Sequence, residues 1–465
     1  MCKRLLIYIV AMVVSVMSSL GTTLDQAKEM YQAGDYVGAL PVFQEYLKKK
    51  PKDASLNHWY GVCLMQTGQL SEAKSYLEFA HKRKVAQSPR YLAEIAFFEY
   101  RVDDADEYIN AYRDAMKRAK KEVPEEVETL ADRVSKMRTM LDRVEQVEII
   151  DSIAVDTDTF FKAYKLAIES GSLNDVAVLP ESFESAQPTV VYMPESKSTM
   201  LWAEPDENEN YVLVSSSLLG DGDWETPREL GGNLNEGGDA NFPYLMSDGI
   251  TLYYANSGEN SIGGYDIFIS RREDSEFLQP QNIGMPYNSP YDDYMLVIDE
   301  ITGVGWWATD RNRIEGKVTI YKFKPKDMRV NYPVEDPQLV SLAKIERYQD
   351  TWAENADYSD LLMAIEEIET NRKEEHRDFE FALSGGRIYT LWTDFKSAEA
   401  RELMREYLSA KATHEQKEAQ LATLRQQYAS GKLETSAEIE TLEKEIRKEY
   451  QQLKQLANEV RRMEN

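Results

Sequence analysis

The sequence predicts a multidomain chain of α plus β class. Its parts are an N-terminal α-solenoid, a small β-propeller of about four blades, complete or incomplete, and a C-terminal antiparallel helical hairpin or coiled coil. Three observations predict it. Small and large residues recur at a 34-residue spacing between Gly34 and Ala80. Aromatic, Asn and Asp marks recur at a 53-residue spacing between Trp224 and Trp306. Two apolar stripes of helical period flank Gly431 near the end of the chain. The expected divisions are 1–21 for a leader, 22–146 for the solenoid with a capping helix, 147–395 for the propeller with a helical insertion near 335–376, and 396–465 for the hairpin.

The first residues are Met1-Cys2-Lys3-Arg4, followed by an apolar run from Leu5 to Met17 and then Ser18-Ser19-Leu20-Gly21. A basic start, a short apolar core and small residues behind it make a secretory signal peptide, with cleavage expected near Gly21. The run is shorter than the roughly 20 apolar residues of a spanning helix. The expectation is therefore export, a periplasmic or outer-membrane-associated location and no integral span after cleavage; an uncleaved anchor is the alternative. Cys2 leaves with the leader, and Cys63 stays as a lone core thiol without a disulfide partner.

In the solenoid, Gly34-Asp35-Tyr36 precedes Ala39 and Phe43, and Gly68-Gln69-Leu70 precedes Ala73 and Leu77. Pro51 closes the first unit, and Gly61 and Ala80 supply small residues in the second. Small residues let paired helices approach, and large ones fill the groove to the next pair. This pattern resembles the tetratricopeptide repeat. A third unit with Ala93, Ala96, Ala105, Ile109 and Tyr112 drifts to a spacing of about 32 and lacks the turn glycine. A polar helix near 122–146, with Leu130, Val134, Met137, Leu141 and Val144 on one stripe, is expected to cap the array.

From about residue 147 short alternating runs replace the helical pattern, such as Thr189–Met193, Tyr211–Val214 and Asp266–Ile269. Asn235 and Asp239 recur as Asn288 and Asp292, Tyr253 as Trp306, and Trp224, Pro227 and Leu230 as Phe277, Pro280 and Ile283. The stretch Asn241-Phe242-Pro243, Ser247-Asp248-Gly249, Leu252-Tyr253-Tyr254, then Gly263-Gly264-Tyr265-Asp266 resembles the WD-like repeat of TolB-type propellers, without the proline between Ser247 and Asp248. Asp248-Gly249 is expected to turn a hairpin, Gly263-Gly264 to hold positive φ, and Asp266 to accept from backbone donors of its loop. Three such blades do not close a ring. Strands at Val147–Val155 and at 378–383 with 387–392, turned at Ser384-Gly385-Gly386, are candidates to complete it.

In the tail, Ile439, Leu442, Ile446, Leu453, Leu456, Val460 and Met463 keep a and d heptad positions, interrupted by Glu449. The first arm offers Leu403, Tyr407, Leu421, Leu424 and Tyr428, and Thr435 with Glu438 can box the second helix. The arms close on each other or pair with a second copy.

The formal charge is -27, from 81 acidic and 54 basic residues, which repels phosphate backbones and argues against nucleic acid. His58, His81, His376 and His414 lie far apart without metal-ligand spacing, and no phosphate loop, dinucleotide fingerprint or nucleophile elbow is present. No catalytic, cofactor-binding or metal-binding residue is therefore assigned, and no enzyme activity is expected. Asp221-Gly222-Asp223-Trp224 reads as a turn between strands, with a cation site as the alternative. The candidate binding surface has two parts: Lys48, Lys49, Lys50, Lys82 and Arg83, basic helix ends in an acidic chain, and Trp224, Trp306 and Trp307 at blade positions.

The order of helical repeats and TolB-like blades resembles a group of Gram-negative envelope proteins. Several of these carry an OmpA-like peptidoglycan-binding domain, here replaced by the helical tail, and some belong to the type IX secretion apparatus. The resemblance implies a non-enzymatic scaffold for envelope proteins or peptides, with self-association through the C-terminal helices as an added option. A glycan- or peptide-binding propeller is the alternative reading, and a propeller hydrolase or lyase using Asp239, Asp266 and Asp292 is the third.

Overall fold

Each of the first three helices starts on a side chain that accepts from its free amides. Thr23 and Gln26 form a reciprocal capping box on α1 (Leu24–Gln32). Asp35 caps α2 (Tyr36–Lys49) through the amide of Gly38, and Asp53 caps α3 (Ala54–Gln66) through those of Ser55 and Leu56. Then come α4 (Leu70–Lys82), α5 (Ser88–Phe98), α6 (Val102–Ala119) and α7 (Glu125–Leu141). These seven helices stack as three antiparallel pairs and a final helix, the arrangement the 34-residue spacing predicts. Gly34 and Gly68 turn the first two pairs at φ 81° and 88°; Tyr100 turns the third at φ 61°. A left-handed non-glycine residue costs about 1–2 kcal/mol. The Tyr100 ring offsets that cost by burial in a core of α5, α6 and α7 that also takes in Ile262 and Met285 from loops of the sheet region.

This computed structural model describes residues 22–180, 183, 189–220, 223–235, 237–274, 276–375, 378, 379, 381–383, 387–429 and 436–464. The leader, Asp221-Gly222, His376, Ser384-Gly385-Gly386, Gly431 and Thr435 lie outside them. The chain forms two compact units, the first running through Ala364 and the second beginning at Ile365.

After the helices, β1 (Glu148–Asp156) runs into a 3₁₀ segment (Thr157–Ala163). Three antiparallel sheets follow. Sheet A orders β2 (Ser172–Asn174), β3 (Val191–Met193), β4 (Thr199–Pro205), β5 (Tyr211–Ser217) and β6 (Arg228–Glu229). Sheet B orders β7 (Ala240–Leu245), β8 (Thr251–Asn256), β9 (Asp266–Glu273) and β10 (Glu276–Phe277), with β11 (Gln281–Asn282) also on β9. Sheet C orders β12 (Asp293–Asp299), β13 (Val304–Thr309) and β14 (Lys317–Lys324), and β1 completes it, from Glu148↔Lys324 to Asp156↔Lys317.

The sequence recurrence reappears as recurring bonds. Asn235 Oδ1 accepts from the Leu213 amide at 2.8 Å, and Asn288 Oδ1 from the Ile267 amide at 2.7 Å. Asp239 accepts from Tyr211 at 3.0 Å, and Asp292 from Tyr265 at 2.8 Å. Tyr192 donates to the Leu245 carbonyl and Tyr244 to that of Ile298, at 2.7 and 2.9 Å. Sheet A is thus tied to B by the same groups that tie B to C. At the inner strands Phe242 and Met295 sit in bulges at φ 55° and 53°. The rings of Phe160, Phe242 and Tyr294 meet there, Phe242 stacking on Tyr294 at 4.5 Å.

Two local expectations change. Gly263 and Gly264 are not among the positive-φ residues; a Cβ at Gly264 would lie 2.0 Å from Asp292 Oδ1, so the glycines serve close approach between sheets B and C. Asp266 does accept from the amides of Ile262 and Gly263, each at 3.0 Å. The strand pair β15 (Phe381–Ala382) and β16 (Ile388–Tyr389) adds to none of the three sheets.

Within 335–376 lie α8 (Leu339–Lys344) and α9 (Ser359–Glu375), the latter carrying the chain from the first unit to the second. In the second unit, Phe379, Phe381, Leu383 and Tyr389 pack with Met404, Ala457 and Val460. Those last residues come from α10 (Ala398–Ala429) and α11 (Ser436–Glu464), which pair antiparallel within the chain. Lys417 bridges Glu449 at 2.6 Å and Glu445 at 2.9 Å, and Arg425 bridges Glu443 at 2.7 Å. Glu464 accepts from the Ser397 amide at 2.8 Å and the Tyr389 hydroxyl at 2.9 Å, fixing the end of α11 to the start of α10.

Candidate protein-interaction groove

One helix face in the stack is built differently from the others. In α5, Leu92, Ala93, Ile95 and Ala96 are buried against neighbouring helices, as the repeat pattern demands. Arg90, Glu94 and Phe98 fall at four-residue steps on another face, beside the buried Phe97. They form one wall of a groove of about 540 Å³. The opposite wall is α7, whose stripe of Val134, Met137 and Leu141 anchors it in the core. Its first turns present Glu125, Glu126, Thr129, Leu130 and Arg133 to the groove. Phe98 also meets the Tyr291 ring of the sheet region at 5.2 Å.

The charges in this groove are only partly matched. Burial pushes the Glu94 carboxyl above the usual range, and Arg90 works against that rise. The Arg90 guanidinium lies over the Tyr91 ring at 5.6 Å. Neighbouring carboxylates differ: Glu99 is held low against its burial by hydrogen bonds from Lys74 and Arg101, and Glu128 is paired with Arg113. Glu94 has no hydrogen-bond or salt-bridge partner among the described residues.

The sequence-predicted binding residues lie elsewhere. Lys48 and Lys49 occupy the last turn of α2 and Lys50 its C-cap; Lys82 ends α4 and Arg83 caps it. All five are exposed, at helix ends where cations complement the macrodipole. Lys49 is paired with Glu45 at 2.7 Å, and Arg83 lies over Phe79 at 5.0 Å. None lines the groove. Trp224 is half-buried against the core of sheet A around Trp202.

Trp306 and Trp307 are a correction: both are 0% exposed and neither forms part of a surface. Adjacent strand residues point to opposite faces, and both faces of sheet C are covered here. Tyr164 covers Trp306, while Tyr287 and Phe323 enclose Trp307.

Two reactive side chains, His58 and Cys63, are buried within the helical stack. His58 is pushed down to about 4 by burial, its Nδ1 3.0 Å from Ser88 Oγ. Burial pushes the Cys63 thiol up to about 12, which keeps it a poor nucleophile. Among the described residues no group of three or more His, Cys, Asp or Glu is arranged to hold a metal ion, and no helix is long and apolar enough to cross a membrane. The groove escaped sequence reading because Arg90, Glu94 and Arg133 do not cluster in the chain; the available signal was their place on first helices of successive units.

Comparison with known families bears on these same helices. Residues 30–96 match the tetratricopeptide repeat family, from α1 into α5. Comparison with curated proteins and with solved structures returns no significant match.

Proposed function

We propose that this chain is a non-enzymatic scaffold of a bacterial cell envelope, exported by its N-terminal apolar segment, that holds protein partners in its helical groove. Tetratricopeptide repeats generally mediate protein–protein interaction, and residues 30–96 match them. The observation that carries the reading is the groove between α5 and α7, which combines open volume, the aromatic Phe98 and a Glu94 that no hydrogen bond or salt bridge holds among the described residues. Solenoids offer such concave surfaces to extended segments.

The three sheets read as blades of a small propeller, which would supply a second, rigid recognition face. The recurring Asn, Asp and Tyr bonds and closure of sheet C by β1 support that reading. The order of helical repeats and blade-like sheets supports a place within a secretion or envelope-assembly complex. Burial of Trp306 and Trp307 takes away the aromatic surface on which glycan capture was based. Asp239, Asp266 and Asp292, the residues of the hydrolase or lyase reading, are engaged by backbone amides.

The test places a photo-crosslinking residue at Glu126, on the groove wall, in the full chain in intact cells. The expected result is one dominant protein adduct that disappears when Thr129→Trp fills the groove. An unchanged adduct, or none, overturns the groove reading. Fractionation and N-terminal sequencing of the mature chain test export; a start near Thr22 in an envelope fraction is expected, and a cytosolic chain retaining Met1 refutes it.

A further inference from the structure

The groove selects its occupant by charge. It is lined by three carboxylates, Glu94, Glu125 and Glu126, and two guanidinium groups, Arg90 and Arg133. Arg90 is held over the Tyr91 ring, leaving the half-buried Glu94 without a bonded cation. A desolvated carboxylate in that position gains most from a charged donor brought in by a ligand. The surrounding field has the same sign, since the chain carries a formal charge of -27. Phe98 offers an aromatic surface beside Glu94, and Arg133 a donor for carbonyl oxygens of an extended backbone.

We propose that the groove takes an extended peptide segment whose lysine or arginine side chain seats on Glu94 and whose neighbouring apolar side chain lies against Phe98. This rests on the groove reading above and adds the chemistry of the partner. It makes the site selective for basic-apolar segments over acidic ones, because an incoming carboxylate would meet Glu94, Glu125 and Glu126 together.

The experiment selects random dodecapeptides displayed on phage against the immobilised full chain, with Glu94→Gln and Thr129→Trp variants in parallel. Thermal unfolding of all three proteins checks that the variants fold. The expected result is an enriched set carrying Lys or Arg next to an aromatic or aliphatic residue, bound at least about tenfold more weakly by Glu94→Gln, a loss of about 1.4 kcal/mol, and not retained by Thr129→Trp. Affinity of these peptides should also fall as the pH is lowered and Glu94 takes up a proton. Peptides lost with Thr129→Trp but lacking a basic residue, or indifferent to Glu94→Gln, overturn this proposal and leave the groove reading standing. Peptides indifferent to both variants, or no enrichment, overturn both.

Discussion

In the helical stack the packing is mainly apolar: Phe43 stacks on Trp59 at 5.6 Å between the first two pairs, and Gly61 lets Leu77 approach within the second. Between successive sheets many of the binding groups are polar: Asn288 and Asp292 of the link into sheet C reach back to the amides of Ile267 and Tyr265 in sheet B and the loop before it. Apolar joints tolerate drift, which is why the third helical unit can shorten its spacing and replace glycine by Tyr100. Polar joints fix distance and direction within a few tenths of an ångström. The sheet recurrence accordingly keeps both residue type and bond over 53 residues.

The comparison would break first at Arg311, which is 4% exposed at its side chain and pairs with the fully buried Asp293 at 2.6 Å. Arg311 also donates to the carbonyls of Pro286 and Tyr287. Arg311→Met strands a buried carboxylate, and urea unfolding should show a loss of about 4 kcal/mol. Asn288, 0% exposed, accepts from Ile267 N and donates to Ile267 O and Asn282 Oδ1. Asn288→Ala leaves these groups unpaired, and the same titration should register about 3 kcal/mol.

A pH profile sharpens the contrast. Burial raises the Asp266 carboxyl to about 7, against the pull of the Ile262 and Gly263 amides and Asn282. Unfolded, the group titrates near its ordinary value of 3.8. Between these values the folded chain holds the extra proton, so this contribution is full below about 4 and is lost as pH rises through about 7. Asp266 should therefore contribute roughly 2–3 kcal/mol less stability at pH 7 than at pH 5, read as the difference in pH slope between thermal melts of the native chain and of Asp266→Asn. The mildest change belongs to the helices. A Cβ at Gly61 would sit 2.8 Å from Leu77 Cγ, so Gly61→Ala should cost about 1–2 kcal/mol by chemical denaturation.

What the sequence revealed follows from the same division. Spacing exposed both repeats, and Val147–Val155 was readable as a strand awaiting a sheet. The fate of Trp306 and Trp307 was not readable, because alternation assigns faces without saying whether a face is covered; Tyr164 comes from outside the repeated strands to bury one of them. The strands at 381–389 carried good hairpin cues, but such cues are local, and Met404, Ala457 and Val460 decide where that hairpin packs. Glu94 stayed hidden because its meaning depends on a second helix, α7, some 30 residues on.

Strand β1 has a consequence for how the molecule comes into being. Its partner β14 lies more than 160 residues downstream, at Lys317 for Asp156. A chain emerging amino end first therefore carries an orphan β-edge throughout synthesis of everything between. Pairing over such a distance is slow, and an open edge meanwhile invites wrong neighbours. A variant that moves residues 148–156 to a position behind Lys324, joined by a short turn and with a flexible linker bridging Val147 to Thr157, would turn that distant pairing into a local hairpin, and it should refold faster with less aggregation.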